Sequence, residues 1–303
     1  MLPKLEGFAA ALLGSLDHDT LTRVVEDLGA WQSTILTRDD ISAVLTDTSI
    51  SSVARGQVVH DVLNKKVSAE ALRLCVYAAS SALAQEVPRS YDELTFVART
   101  LLSTGEFHHP SLGLMDARRR VSGFADALLD DVDAENFSNI EDDLFRWART
   151  VEGNVGLRHL LLDRDAPLAA RLGLTDQLLD GKVNPVSLAL ARFTIIGGRP
   201  RDVVGTLDYL VDYVAKARNW RVARVFAARE LNDASQQALV NALHALTGRD
   251  VELQIADEPD LLGGVLVEIG DLRLDATTKG RLGALHEAVA SRRILEATVN
   301  RID

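Results

Sequence analysis

Apolar residues recur at helical spacing over most of the chain and at strand spacing only near its end. Leu21, Val24, Val25, Leu28 and Trp31 fall three and four apart, one stripe of an amphipathic helix. Phe137, Ile140, Leu144 and Trp147 draw the same stripe further along, and Asp17 and Asp133 stand before the two runs as N-cap residues. A helix over 202–218 turns Val203, Leu207, Leu210, Val211 and Val214 inward, after the break Gly197-Gly198-Arg199-Pro200. From Asn219 the period changes. Val222, Val225 and Ala227 predict a strand; Asn232 or Asp233 then caps a helix carrying Leu239, Ala242, Leu243 and Leu246, which Gly248 ends. Val251, Leu253 and Ile255 alternate with polar residues, as do Val265, Val267 and Ile269, and Gly270-Asp271 turns the chain toward Leu272 and Leu274. Asp275 opens a last helix with Leu282, Leu285, Val289, Ile294 and Leu295, giving the order β-α-β-β-β-α.

The two helical stripes belong to a repeat. Residues 7–102 recur as 123–218 at a constant offset of 116, with Gly7-Phe8-Ala9 over Gly123-Phe124-Ala125 and Asp27-Leu28 over Asp143-Leu144. Ala54-Arg55 and Lys66-Val67 likewise lie over Ala170-Arg171 and Lys182-Val183. Solenoid repeats run to about 20–50 residues, so a period this long makes each copy a small domain. The expected fold is mainly α: two tandem six-helix-type bundles followed by a small C-terminal α/β domain. The expected domains are 1–102, a linker at 103–120 rich in Gly, Pro and Arg, 121–218 and 219–303.

Composition adds exclusions. The net charge of −11 is spread as −4, +1, −5 and −3 over those four segments, so no domain offers the dominant basic face that nucleic acid requires. No apolar run approaches the roughly 20 residues of a membrane-spanning helix, and Lys4 and Glu6 interrupt any secretory leader. Cys75 is the lone cysteine and reads as a small buried side chain in a reducing compartment.

Catalytic chemistry finds no constellation. Gly263-Gly264 lacks the Lys-Ser/Thr and the following helix of a phosphate loop and reads as a bulge or a close backbone approach. The histidines show neither metal-ligand nor triad spacing, and His108-His109 reads as an exposed loop pair. Asp130-Asp131-Asp133, Glu141-Asp142-Asp143 and Arg118-Arg119-Arg120 read as solvated faces. No catalytic residue, metal ligand or cofactor is predicted.

The C-terminal pattern carries a resemblance. Val251 to Asp257, then Asp260, Gly263-Gly264, Gly270-Asp271, Asp275 and Arg281-Leu282, resemble the delta subunit of bacterial F-type ATP synthases, the oligomycin-sensitivity-conferring protein family. Phe124-Ala125-x-Ala127-Leu128 is similar to that family's opening helix, and Gly198-Arg199 to the Gly-Arg before its sixth helix. Residues 121–303 thus resemble an entire ordinary delta subunit. The first copy, with Ala82-Leu83 in place of Gly198-Arg199, is a diverged duplicate. The resemblance implies a non-catalytic stator subunit at the cytoplasmic face of the membrane, linking N-terminal helices of the alpha subunits to a b-type stalk subunit. Carried over by position, the alpha-helix groove draws on Phe124, Ala127, Leu128, Leu188, Phe193 and Ile196. The rival expectation is a helical scaffold or regulatory protein that reuses the same modules.

Overall fold

The computed structural model describes residues 2–278, apart from 134, 164, 220, 221, 230, 248–250, 259, 260, 262 and 271. Met1–Ala215 and Lys216–Asp303 form two compact units.

The first unit holds both copies. Helices α1 (Pro3–Leu13), α2 (His18–Thr37), α3 (Asp39–Thr46), α4 (Ser52–Leu63), α5 (Ala69–Ser81) and α6 (Val87–Thr104) make the first. Helices α7 (Leu114–Leu129), α8 (Asn136–Gly153), α9 (Val155–Leu162), α10 (Leu168–Leu179), α11 (Pro185–Ile196) and α12 (Val203–Asn219) make the second. A 3₁₀ turn, Ala84–Glu86 or Pro200–Asp202, precedes the last helix of each. The bounds of α3, α4 and the first 3₁₀ turn, shifted by 116, are those of α9, α10 and the second. The chain is mainly α, and its strands lie in the second unit.

Side chains kept at the offset explain that equivalence. Asp27, on α2, accepts bonds from the Ser68 backbone N–H and hydroxyl, both at 2.7 Å, and so caps α5. Asp143, on α8, does the same for α11, accepting from the Asn184 N–H at 2.8 Å and the Ser187 hydroxyl at 3.1 Å. Asp143 is buried, so the reading of Glu141-Asp142-Asp143 as a wholly solvated face is corrected: the N-terminus of α11 encloses its carboxylate. Asp27→Ala or Asp143→Ala should each lower stability by about 1–3 kcal/mol, read from urea unfolding, because an N-terminal helix donor is left without its acceptor. Arg55 reaches the other end of α5, donating to the carbonyls of Ile50 (2.8 Å), Ala79 (3.3 Å) and Ala82 (2.9 Å). Its counterpart Arg171 is buried too. Trp31 and Trp147 occupy equivalent core positions.

Helix ends depart from expectation in one copy. Asp17 caps α2, accepting from Thr20 N–H at 2.8 Å. Asp133 does not cap α8, which opens at Asn136 after Glu135. There the backbone carbonyl of Asp133, rather than its side chain, takes the Asn136 N–H at 2.9 Å. The linker is also shorter than its composition suggests. Gly105, at φ 72° in the left-handed C-cap conformation, ends α6, and α7 begins at Leu114, so residues 114–120 are helical.

The copies meet along α1 and α7. A Cβ on Gly7 would stand 1.7 Å from the Arg120 carbonyl oxygen, and one on Gly123 would stand 1.8 Å from that of Lys4. Lys4 and Arg120 are themselves related by the offset, so the two glycines open the two sides of one crossing in the same way. Glu6 and Arg120, 4% and 2% exposed, form an ion pair at 3.3 Å across it. Arg120 also donates to the Pro110 carbonyl at 2.6 Å, and His109 Nδ1 lies 3.1 Å from Glu6. Arg118 makes two bonds to Asp202, at 2.9 and 3.0 Å. Arg118, Arg120 and His109 are therefore not the solvated residues their sequence context suggests: each is engaged by a carboxylate from another segment of the unit.

In the second unit, β1 (Val222–Ala227), α13 (Asp233–Thr247), β2 (Glu252–Asp257), β3 (Val265–Ile269) and β4 (Leu272–Asp275) build a sheet of order β2-β1-β3-β4. β1 pairs parallel with β2 and antiparallel with β3, which pairs antiparallel with β4. Asn232 caps α13, accepting from the Ser235 N–H at 2.9 Å. Leu243 of α13 joins Ala223, Val225, Val251, Val267 and Ile269 in one core. The predicted stop at Gly248 and the last helix with Leu282, Leu285, Val289, Ile294 and Leu295 lie outside the described residues.

Candidate partner-binding site

The aromatic pair on α7 and α11 is the centre of the predicted groove. Phe124 and Phe193 stack with ring centroids 3.8 Å apart and planes 9° from parallel. The first copy repeats this with Phe8 and Tyr77, at 3.7 Å and 6°. Phe193 is 3% exposed. His109 meets it edge-on at 5.4 Å, and a Cβ on Gly197 would stand 2.5 Å from its ring. Phe124, Leu128, Leu188 and Ile196 are half-buried, whereas Ala127 is buried and packs against the core of the first copy. The six residues thus sort into four half-buried apolar side chains (124, 128, 188, 196), the buried Phe193 stacked on Phe124, and Ala127 turned to the first copy.

On the other side of α7 the first copy closes in. Arg73 of α5 donates to the Ala127 carbonyl at 2.9 Å and to Asp131 at 3.0 Å. The Tyr77 hydroxyl donates to Asp126 at 2.6 Å. Burial, then the Asp126 carboxylate, push the Tyr77 phenol well above its ordinary pKa, which keeps it a donor. Asp126 also accepts from Tyr213 at 2.5 Å and pairs with Lys4 at 2.9 Å. Sequence reasoning missed this carboxylate because Ala10 occupies its place in the first copy.

The signature glycines solve a backbone problem. Gly263 and Gly264 have φ 136° and 85°, and a Cβ on Gly264 would lie 2.4 Å from the Ala276 carbonyl oxygen. The Thr278 N–H bonds the Gly263 carbonyl at 2.9 Å, so this is the close backbone approach expected from sequence. Gly270, at φ 53°, makes the turn between β3 and β4. Asp275 accepts from the Thr277 N–H at 3.0 Å and its hydroxyl at 2.6 Å. A Cβ on Gly198 would lie 2.2 Å from the Thr194 carbonyl, and Arg199 beside it is exposed. Asp260, Asp271 and Arg281 lie outside the described residues.

A family model described as ATP synthase delta (OSCP) subunit matches residues 121–289, which begin at the second copy and run on through the sheet. The chain belongs to the ATP synthase delta (OSCP) subunit family. A protein named ATP synthase subunit delta from Kineococcus radiotolerans is 32% identical over 88% of this chain and 87% of its own length. One of the same name from Salinispora arenicola is 32% identical over 82% and 81%, and one from Nocardia farcinica 28% over 94% and 95%. Delta subunits of this extent therefore include a counterpart of the first copy, which the family model leaves out. As a delta subunit, the protein is a non-catalytic component of the ATP synthase peripheral stalk.

No group of three or more His, Cys, Asp or Glu among the described residues could hold a metal ion, and no helix among them is long and apolar enough to cross a membrane. Burial, with Asp27 nearby, pushes the Cys75 thiol far above its usual range. A thiol reagent should leave Cys75 unmodified in the folded chain and label it fully in denaturant; fast labelling of the folded chain would contradict the buried placement.

Proposed function

We propose that this delta subunit ties the alpha subunits of the catalytic head to a b-type stalk subunit, at the cytoplasmic face of the membrane, so that the head resists rotor torque. The observation that carries this reading is the continuous family match over the second copy and the C-terminal unit. The alpha-subunit helix is assigned to the apolar strip of Phe124, Leu128, Leu188 and Ile196 on α7 and α11, the helix-in-groove mode of recognition. Phe193 supports that strip by stacking on Phe124. The C-terminal unit is assigned to the b-type partner.

Binding titrations of the full chain with an alpha N-terminal peptide and a b C-terminal peptide test the two assignments. Ile196→Glu should weaken the alpha peptide about 10-fold or more while leaving the b peptide and the circular dichroism spectrum unchanged, since it places a charge on the apolar strip. Phe193→Glu is the poorer probe, because a charge at so buried a ring destabilises the bundle itself. If neither peptide binds at micromolar concentration the stator reading fails, and an unchanged affinity in Ile196→Glu removes the groove.

A further inference from the structure

Each stacked aromatic pair is tied to the opposite copy, and the two ties differ in chemistry. Tyr77 and Phe193 are related by the offset of 116, but only Tyr77 has a hydroxyl, and it donates to Asp126 of α7 at 2.6 Å. The Phe8–Tyr77 pair of the first copy is thereby tied to a helix of the second. Phe193 lacks that group. His109 stands against it instead, with ring centroids 5.4 Å apart and planes at 81°.

His109 is itself fixed by the first copy. Its Nδ1 lies 3.1 Å from Glu6 of α1, and the carboxylate, already paired with Arg120, accepts from the imidazole N–H. Phe107, packed on the core of the first copy, stacks on the same imidazole at 4.9 Å. Arg120 holds the next linker residue through its bond to the Pro110 carbonyl at 2.6 Å. The His109 side chain is only 10% exposed, although it belongs to a loop and its neighbour His108 is exposed. An imidazole bonded on one side and set edge-on to a ring on the other has a fixed orientation. From Phe193 the contact continues to Phe124, which stacks on it at 3.8 Å and is half-buried.

We propose that His109 is a positioning residue for recognition of the alpha-subunit helix: held by Glu6, it fixes the Phe193 ring and, through it, the Phe124 face of the apolar strip. This role rests on the groove assigned above to α7 and α11. It gives the first copy a part in that recognition without contact with the helix, along the line Glu6–His109–Phe193–Phe124. A groove wall whose rings are already set loses less side-chain freedom on binding, so the effect falls on affinity.

The test is fluorescence anisotropy of the full chain with a labelled alpha N-terminal peptide, with the b C-terminal peptide titrated in parallel. His109→Ala should weaken the alpha peptide about 3- to 10-fold, the scale of one lost aromatic contact, and leave the b peptide unchanged. His109→Phe, which keeps a ring against Phe193, should restore most of the affinity. His109→Asn, which keeps only a donor toward Glu6, should not. A linker contact of structural use alone would lower the urea midpoint without separating Phe from Asn in alpha affinity, and that result overturns the proposal. Equal loss for both peptides overturns it, as does unchanged alpha affinity in His109→Ala. Tighter binding in that variant would show the linker obstructing the groove and overturn it too. Ile196→Glu separates the two readings. If it weakens the alpha peptide while His109→Ala does not, the groove stands and only the role of His109 falls; if the unmodified chain does not bind the peptide, the groove falls and His109 with it.

Discussion

Gly7→Leu or Gly123→Leu should destabilise the double bundle by about 3 kcal/mol or more, well beyond the effect of an ordinary helix substitution. The cause is backbone against backbone. A Cβ at Gly7 would lie 1.7 Å from the Arg120 carbonyl oxygen and 2.8 Å from the Phe124 nitrogen, and one at Gly123 would lie 1.8 Å from the Lys4 carbonyl oxygen. No rotamer relieves such a clash; α1 and α7 have to move apart, and the buried residues between them lose contact. Urea unfolding followed by circular dichroism measures the effect. Gly153→Ala serves as control: a Cβ there meets nothing within 4 Å, and the better helix former should raise stability by up to about 1 kcal/mol. Midpoints for the two leucine variants close to the parent would show that the helices do not cross at these glycines.

Removing one partner of the Glu6–Arg120 pair should have an effect of similar size. Both side chains are almost fully enclosed, so Arg120→Met leaves the buried Glu6 carboxylate without its guanidinium. Breaking such a pair on one side costs about 3–5 kcal/mol, whereas replacing both members with apolar residues is often close to neutral. The double variant Glu6→Leu, Arg120→Met should therefore recover much of the loss, giving a large favourable coupling in a double-mutant cycle. Additive effects would mean that the two groups do not share one enclosed site. His109, 3.1 Å from Glu6, also loses its partner in the double variant, so recovery should be incomplete.

These two predictions concern a junction that periodicity could not disclose. A glycine within an apolar helical stripe reads as a small loss of helix propensity, about 1 kcal/mol against alanine. Its use appears only when a second backbone arrives. Arg118, Arg120 and His109 were misread for a related reason: a run of charged residues beside a Pro- and Gly-containing segment looks solvated until the carboxylates of Asp202 and Glu6 are brought to it from distant segments. Asp143 sits among acidic neighbours on α8, and only the arrival of α11 distinguishes it from Asp142. The six residues of the predicted groove fall on α7 and α11. The sequence could not separate the half-buried Phe124, Leu128, Leu188 and Ile196 from the buried Phe193 and Ala127.

What the sequence determined by itself is the content and order of elements among the described residues, and the family. Helical and strand periods are properties of neighbouring residues, and a repeat at a fixed offset is visible without knowing how either copy folds. The Gly263-Gly264 and Gly270 positions are legible for the same local reason, since positive φ excludes most side chains. The tertiary structure alone decided which carboxylates are enclosed and how α1 and α7 join the copies. Those outcomes depend on approaches between residues more than a hundred positions apart, such as Lys4 and Asp126, and the energy of a charge or a glycine is set by what comes to lie against it.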